Sequence, residues 1–349
     1  MNKIKNDRFL RACLRQEVDR TPIWIMRQAG RYLPEYRKVR AKTDFLTLCK
    51  TPELATEVTL QPIDIIGVDA AIIFSDILVI PEAMGMKLEI EEGRGPVFEN
   101  RIKSINDFNK LNRNNPTSKL KYVMDALRLT KNELKNQVPL IGFSGSPFTL
   151  LTYMVEGKGT KTFSKIKGLI YSKPEEAHKM LSVLSDVIAE YLSEKIEAGA
   201  DALQLFDTWG GILSKKEYLE FSLPYMEKII SQIKREKEPV IVFSKGAFHS
   251  ISEMAKSGAD VLGLDWTMDI GEIRKKVGKK VALQGNLDPT VLYAPGDVIR
   301  QKASEVLESF GEGNGHIFNL GHGILPDINP ENAKLLVKFV KTQSKKYHK

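Results

Sequence analysis

The sequence has only two cysteines, Cys13 and Cys49, and no C-x-x-C pair. That excludes a disulfide framework and a cysteine-based zinc cluster, and it suits a reducing compartment. No apolar run approaches the roughly 20 residues of a membrane span. The opening MNKIKNDRFLRACLRQ has no apolar core of signal-peptide length. A cytoplasmic protein with no membrane partner is the expectation. Blocks of like charge are missing as well. Lys and Arg number 52 against 44 Asp and Glu, a formal charge of +8. The lysines are nevertheless spread along the chain, apart from the tail Lys345-Lys346-Tyr347-His348-Lys349. A nucleic-acid surface needs clustered cations with interleaved aromatics, so no nucleic-acid partner is expected. An acidic small molecule is the anionic partner left to a basic chain. There is no lysine-centred cofactor motif and no cluster with metal-ligand spacing, so neither cofactor nor metal is expected.

What is present is a rhythm. Apolar, β-rich runs recur: Ile23-Trp24-Ile25-Met26, Ala70 to Phe74, Leu140 to Phe143, Ala202 to Phe206, Val240 to Phe243, Val261 to Leu264, Val281 to Leu283 and His316 to Leu320. Each turns polar or glycine-rich at its C-terminal end. Amphipathic helices fill the gaps. Phe9, Leu10, Cys13 and Leu14 have helical spacing, and Thr51-Pro52-Glu53 starts a helix that Gly67 stops. Ser172 with Glu175, and Ser214 with Glu217, have capping-box spacing. Ala177, Met180, Leu181, Leu184, Ile188, Tyr191 and Leu192 follow the first of these on one face. Eight strands alternating with helices predict a single-domain (β/α)8 TIM barrel over residues 1–349. An open doubly wound sheet is the structural alternative. Glu89 to Pro116 is long and polar, which predicts an excursion with a small hairpin.

A barrel of this kind carries its active site where the strands end. That makes Arg27, Arg31, Asp76, Gly145, Thr208 and His322 neighbours. The stretch Thr21 to Arg37, TPIWIMRQAGRYLPEYR, leaves the first strand with two arginines around Gln28, Ala29 and Gly30. Guanidinium forks suit carboxylate or phosphate, and so dense a mix of aromatics, cations and glycine fits a polyanion site with an apolar wall. Asp76 reads either as a helix cap or as an anion meeting a cationic or N–H-rich part of a ligand. In the second case the arginines would favour its ionised form. Tyr153 reads as a core tyrosine or a pocket residue. Thr208 reads as a capping turn unless other information favours a contact. His322, between two glycines, can be a phosphate-loop residue, a structural donor or a ligand contact.

TPIWIMRQAGRYLPEYR and GFSGSPFTLLTYMVEG resemble the two signatures of the uroporphyrinogen decarboxylase family. DFLTLCKTPE, FSDIL, FDTWGG, and NLGHGILP with the DINPE that follows it resemble the family too, so the likeness spans most of the chain. It implies a cofactor-free (β/α)8 enzyme of haem biosynthesis, commonly a homodimer. Such an enzyme converts the four acetate side chains of uroporphyrinogen III to methyls and yields coproporphyrinogen III. Carried to matching positions, it implies that Arg27 and Arg31 bind substrate carboxylates and that the loop Arg27, Gln28, Ala29, Gly30, Arg31 lines the pocket. Phe45 would supply an apolar contact. Asp76 would sit under the macrocycle and accept its pyrrole N–H groups, and Tyr153, Thr208 and His322 would meet its polar groups. Some relatives have Ser at Thr208, His at Trp209 and Trp at Phe148.

The chemistry accounts for these residue types. Loss of CO2 from a pyrrole-bound acetate needs an electron sink, which many decarboxylases take from a cofactor. A pyrrole protonated on a ring carbon is its own sink. The enzyme must then stabilise a cationic ring, a task for a fixed carboxylate, and hold anionic side chains, a task for arginine. Arginine is a poor acid, so the first proton comes either directly from it or from a substrate-bound water or hydronium relayed by Arg27 or Arg31. The rival on the same barrel is a corrinoid- or thiol-dependent methyltransferase. That chemistry uses a zinc site with a late cysteine, and no cysteine follows Cys49.

Overall fold

The computed structural model describes residues 4–91 and 95–348. In chain order the strands are β1 (Ala71–Ile72), β2 (Leu88–Glu91), β3 (Gly95–Phe98), β4 (Leu140–Gly145), β5 (Ala202–Asp207), β6 (Val240–Ser244), β7 (Val261–Gly263), β8 (Ala282–Gln284) and β9 (His316–Ile317). Strands β1, β4, β5, β6, β7, β8 and β9 follow one another in a single parallel sheet. A doubly wound sheet would reverse its order part-way across; this one does not.

The opening run Ile23 to Met26 is the eighth stave, but it is not a regular strand. It lies between β9 and β1, paired through the single residue Ile23 with Phe318. Phe318 N donates to Pro22 O at 2.8 Å, Trp24 N to Phe318 O at 3.3 Å, and Asp69 N to Ile23 O at 2.7 Å. Side chains take its other donors: Ile23 N gives to Asp69, Ile25 N to Gln28 and Met26 N to Asn319. The barrel therefore closes through side chains as well as a ladder. Asp69 is central to the seam. It is buried, receives both ends of the Arg20 fork at 2.6 and 2.7 Å, and also accepts from Asn6. Burial alone would raise its pKa, but the Arg20 hydrogen bonds and the charges of Arg20 and Lys341 carry it below the usual carboxylate value.

The helices pack outside the sheet, and the expected apolar face of Pro174–Glu197 is buried throughout. The Ser214 and Glu217 capping box is formed. The Ser172 and Glu175 box is not. Ser172 ends the preceding helix and its hydroxyl donates to Gly168 O, while Pro174 opens the long helix after Lys173. A hydroxyl already inside a helix has the carbonyl one turn back within reach, so it cannot also cap the next helix. Thr51 does precede Pro52–Ile65, but its hydroxyl likewise bonds back, to Thr47 O, rather than capping. The excursion after the second barrel strand, β1, holds the antiparallel hairpin β2–β3; residues 92–94 of the expected excursion lie outside the described residues.

Inside the barrel the core is partly polar. Trp24 donates its indole N–H to Gln284 Oε1 at 2.8 Å, and the Gln284 amide reaches Gln204 Oε1 at 3.4 Å. All three are buried. This amide layer is the floor on which the strand-end residues stand.

Candidate active site

The turn after the first stave sets the site. Gln28 N closes it on Ile25 O at 2.9 Å, which leaves Arg27 in the left-handed region at φ 63°. That conformation costs a residue with a Cβ roughly 1–2 kcal/mol. It is held from the far side of the barrel seam: Ile324 N donates to Met26 O, and the Arg27 side chain runs over Gly323, where a Cβ would lie 2.2 Å from Arg27 Cδ. Only glycine at 323 leaves room for that path. Gly321 serves Trp266 the same way, since a Cβ there would lie 2.2 Å from the Trp266 nitrogen. The two glycines around His322 thus let the loops of the first, sixth and eighth barrel strands close on one another.

Five of the expected residues share one electrostatic neighbourhood. Arg27 is lowered from the usual arginine value by burial; Tyr153 and Asp76 oppose that shift and Arg31 adds to it. The Tyr153 phenol is raised by burial and by Asp76, with Arg27 pulling the other way. His322 is pushed down to about 4 by burial, then by the charges of Arg27 and Lys245, so it is neutral at physiological pH. Phe45 joins through Phe74, two residues before Asp76, at a ring-centroid distance of 5.7 Å. Thr208 is half-buried in the turn after β5. Its neighbour Trp209 stacks obliquely on Tyr153 at 5.9 Å. Thr208 does not cap, because the short helix that follows has Trp209 at its N-cap and no side-chain cap.

Asp76 departs from expectation in its electrostatics. Burial raises its pKa, and the Leu78 N–H and Arg27 only partly counter this. Among the described residues it forms no ion pair. Its Oδ1 accepts from Leu78 N at 2.7 Å, so a cap-like contact is real and fixes the carboxylate's direction. The two arginines do not neutralise it. Among the described residues neither Arg27 nor Arg31 is paired with a protein carboxylate, and Arg31 is exposed. Both forks are therefore open to an anion from outside. Gln28 differs again: its side chain is buried between Ile25 N and Ala70 O. What it can offer a ligand is backbone, as Ala29 and Gly30 do.

Three features were not foreseen. Phe143, Phe206 and Phe243 stand near the ends of adjacent strands, with centroids 5.6 and 6.1 Å apart, and Phe243 meets His322 at 6.2 Å. They form an apolar arc that reaches His322. The available signal was a phenylalanine one or two residues before three successive strand ends. Asp207 is buried and takes four hydroxyls, from Ser146, Thr149, Ser222 and Ser244, at 2.6 to 3.1 Å. Thr149 also receives Trp209 N at 3.2 Å. This hub fixes the turn that presents Thr208. Buried Lys195 passes the space left by Gly142 and donates to Phe143 O at 2.6 Å, with Tyr191 and Phe143 rings about its ammonium. Burial lowers its pKa to about 7. Among the described residues no group of three or more His, Cys, Asp and Glu side chains is gathered as a metal site requires.

Comparison with known proteins bears on the family and the fold. The family model described as "Uroporphyrinogen decarboxylase (URO-D)" matches residues 4–343. A uroporphyrinogen decarboxylase of Chlorobium phaeobacteroides is 57% identical over 99% of this chain and all of its own length. That of Hydrogenovibrio crunogenus is 55% identical over the full length of both. A solved methyltransferase from Methanosarcina mazei superposes with a TM-score of 0.80 over 97% of this chain and 98% of its own. At 21% identity it speaks for the shared barrel alone.

Proposed function

The chain belongs to the uroporphyrinogen decarboxylase family, and from that premise we propose how its strand-end pocket removes the acetate carboxylates of a porphyrinogen. Its reaction is the decarboxylation that serves porphyrin and haem biosynthesis, and the methyltransferase reading is not favoured. In our reading the substrate is uroporphyrinogen III, whose four acetates become the methyls of coproporphyrinogen III. The observation that carries the residue roles is the separation of charges in the pocket. Among the described residues the half-buried, directed carboxylate of Asp76 forms no ion pair, and no protein carboxylate occupies the forks of Arg27 and Arg31.

A porphyrinogen complements that separation. Its pyrrole N–H groups converge on the centre of the macrocycle, where Asp76 accepts them. Its carboxylates point outward, where Arg27 and Arg31 bind them. The Phe143–Phe206–Phe243 arc and Phe45 supply an apolar wall, the loop from Gln28 to Gly30 lines the pocket with backbone, and Tyr153, Thr208 and neutral His322 bond the remaining polar groups. Protonation of the ring α-carbon next to the one that bears the acetate makes a cation conjugated with the acetate-bearing carbon, and Asp76 stabilises it. The bond to the carboxylate then breaks, CO2 leaves, and its electron pair neutralises the ring as an exocyclic methylene. A proton on that methylene makes the methyl, and loss of the first ring proton restores the pyrrole. The net consumption is one proton per acetate. The proton reaches the ring from Arg27 or Arg31 directly, or from a water or hydronium that they hold.

No step requires a metal or an organic cofactor. In this reading the enzyme is a cytoplasmic, single-domain protein over residues 1–349 that works as a homodimer and takes neither nucleic acid nor membrane as a partner. Among the described residues no helix is long and apolar enough to cross a membrane. The test is anaerobic turnover of reduced uroporphyrinogen by protein dialysed against chelator, with nothing added. Undiminished release of CO2 and formation of coproporphyrinogen are expected. Activity that is lost on dialysis and restored by one particular metal would overturn the cofactor-free mechanism.

A further inference from the structure

We propose that Lys245 and the face of Trp266 form a further carboxylate-binding subsite on the rim of the pocket, opposite Arg31; the proposal rests on the decarboxylase reading above. Lys245 directly follows β6, and Trp266 lies three residues beyond β7. His322 follows β9 and Thr208 follows β5. In the order of the sheet, Lys245 therefore lies between two residues expected to touch substrate.

The Lys245 backbone is fixed on three sides. Its N–H donates to Asp207 O at 3.2 Å, so it shares the hydroxyl-lined hub that holds the Thr208 turn. Its carbonyl faces Gly211, where a Cβ would approach to 2.3 Å. The next N–H, of Gly246, donates to Asp265 Oδ2 at 2.6 Å. Among the described residues the Lys245 side chain is left without a partner carboxylate. Among the described residues its ammonium has no ion pair, and it lies over the Trp266 ring at 5.7 Å. Trp266 in turn meets the His322 ring edge-on at 6.3 Å and is 38% exposed, unusual for so large an apolar side chain. The ammonium is thus held on an aromatic face and lies close enough to His322 to lower its pKa.

The chemistry of the substrate asks for such a site. Uroporphyrinogen bears a carboxylate on every acetate and every propionate. Two arginines on one side of the barrel mouth cannot reach those on the far side of a macrocycle. Lys245 supplies a cation there. Being a point charge on a flexible stem, it tolerates the different side chains that pass it as the ring is turned between successive decarboxylations.

The test compares wild type with Lys245→Met, whose unbranched thioether keeps the packing on Trp266, and with Lys245→Arg, which keeps the charge. Steady-state kinetics with uroporphyrinogen are measured at low and high salt, alongside melting temperature. Lys338→Met, on an exposed helix face, is the control. Lys245→Met is expected to raise KM roughly three- to tenfold at low salt, the size of one charge-assisted contact at a solvated rim. It should leave kcat within about twofold and weaken the dependence of KM on salt. Lys245→Arg should stay near wild type. A Lys245→Met enzyme of wild-type KM and wild-type salt dependence overturns the subsite. If Lys245→Met does not fold, Lys245→Arg and Lys245→Gln decide: equal KM in those two also overturns it. Failure of the wild type to turn over uroporphyrinogen would instead overturn the parent reading, before any variant is compared.

Discussion

Asp76→Asn separates the electrostatic role of this residue from its structural one. Asp76 makes one ordered contact within the protein, accepting from Leu78 N at 2.7 Å. An Asn oxygen can accept the same bond, and Asn caps about as well as Asp. Shape and local structure are therefore kept, and only the charge is lost. That charge lies in a desolvated place, because burial holds the Asp76 pKa above the usual carboxylate value. A group whose pKa is raised on folding is penalised when ionised. The penalty is complete at neutral pH and is relieved as pH falls through the raised pKa. The Asn variant never pays it, so its melting temperature at pH 7 should equal or exceed wild type, and the difference should shrink in acid. Turnover should move the other way. A unit charge about 4 Å from a cationic ring is worth roughly 4 kcal/mol at an effective dielectric of about 20, which agrees with the loss of one preorganised group at ~3–4 kcal/mol. That is about 10²- to 10³-fold in kcat. Affinity should change little, since the substrate is an anion until the ring is protonated. The assay is anaerobic turnover across pH, with binding and melting measured on the same preparation. The wild-type profile should fall on its acid side at a pH above the ordinary carboxylate range, as Asp76 takes a proton, and the Asn variant should lack that limb. Asp76→Glu keeps the charge but shifts it by one methylene, so partly decarboxylated intermediates should accumulate. A folded Asn variant within about threefold of wild-type kcat would refute the reasoning, because a helix cap alone predicts that silence.

Two further outcomes test the anion clamp and the loop that carries it. Arg31→Ala should raise KM roughly 10- to 100-fold, the worth of a charge-assisted contact at about 1.5–3 kcal/mol, and Arg31→Lys should recover only part because ammonium cannot reproduce the fork. Unchanged kinetics in both variants would remove the clamp. Gly323→Ala places a Cβ where Arg27 Cδ now lies, at a separation of 2.2 Å. Displaced by about 1 Å, Arg27 should cost on the order of tenfold or more in kcat/KM. Circular dichroism and melting temperature should stay close to wild type. Wild-type kcat/KM in that variant would show that Arg27 does not depend on its path over Gly323.

Much of this protein is legible in its sequence because its signals are local. Apolar runs that end in polar, glycine-rich turns mark parallel strands wherever they occur, and eight of them in alternation with amphipathic helices leave little choice but a barrel. Arg27, Arg31 and Asp76 stand out for the same reason, since each sits at the end of such a run. Local signals also mislead. Ser172 has capping-box spacing, yet it bonds back to Gly168, because spacing does not reveal which helix a hydroxyl already belongs to.

Tertiary structure alone decided how these residues act on one another, since the relevant distances join positions far apart in the chain. Asp76 looked like a carboxylate that arginines would keep acidic. In the fold Arg27 counters its burial only in part, and its pKa rises. Gln28 looked like a pocket residue, but the seam with Ala70 claims its amide. The first stave looked like an ordinary strand, but Asp69, Gln28 and Asn319 take its N–H groups, so it closes the barrel without a full ladder. The phenylalanine arc, the Asp207 hub and the Lys245 ammonium over Trp266 exist only once the strand ends are brought round to meet. Sequence determines which chemistry stands at each strand end. Closure of the barrel determines what that chemistry faces, because burial and charge are set by neighbours the chain does not place beside it.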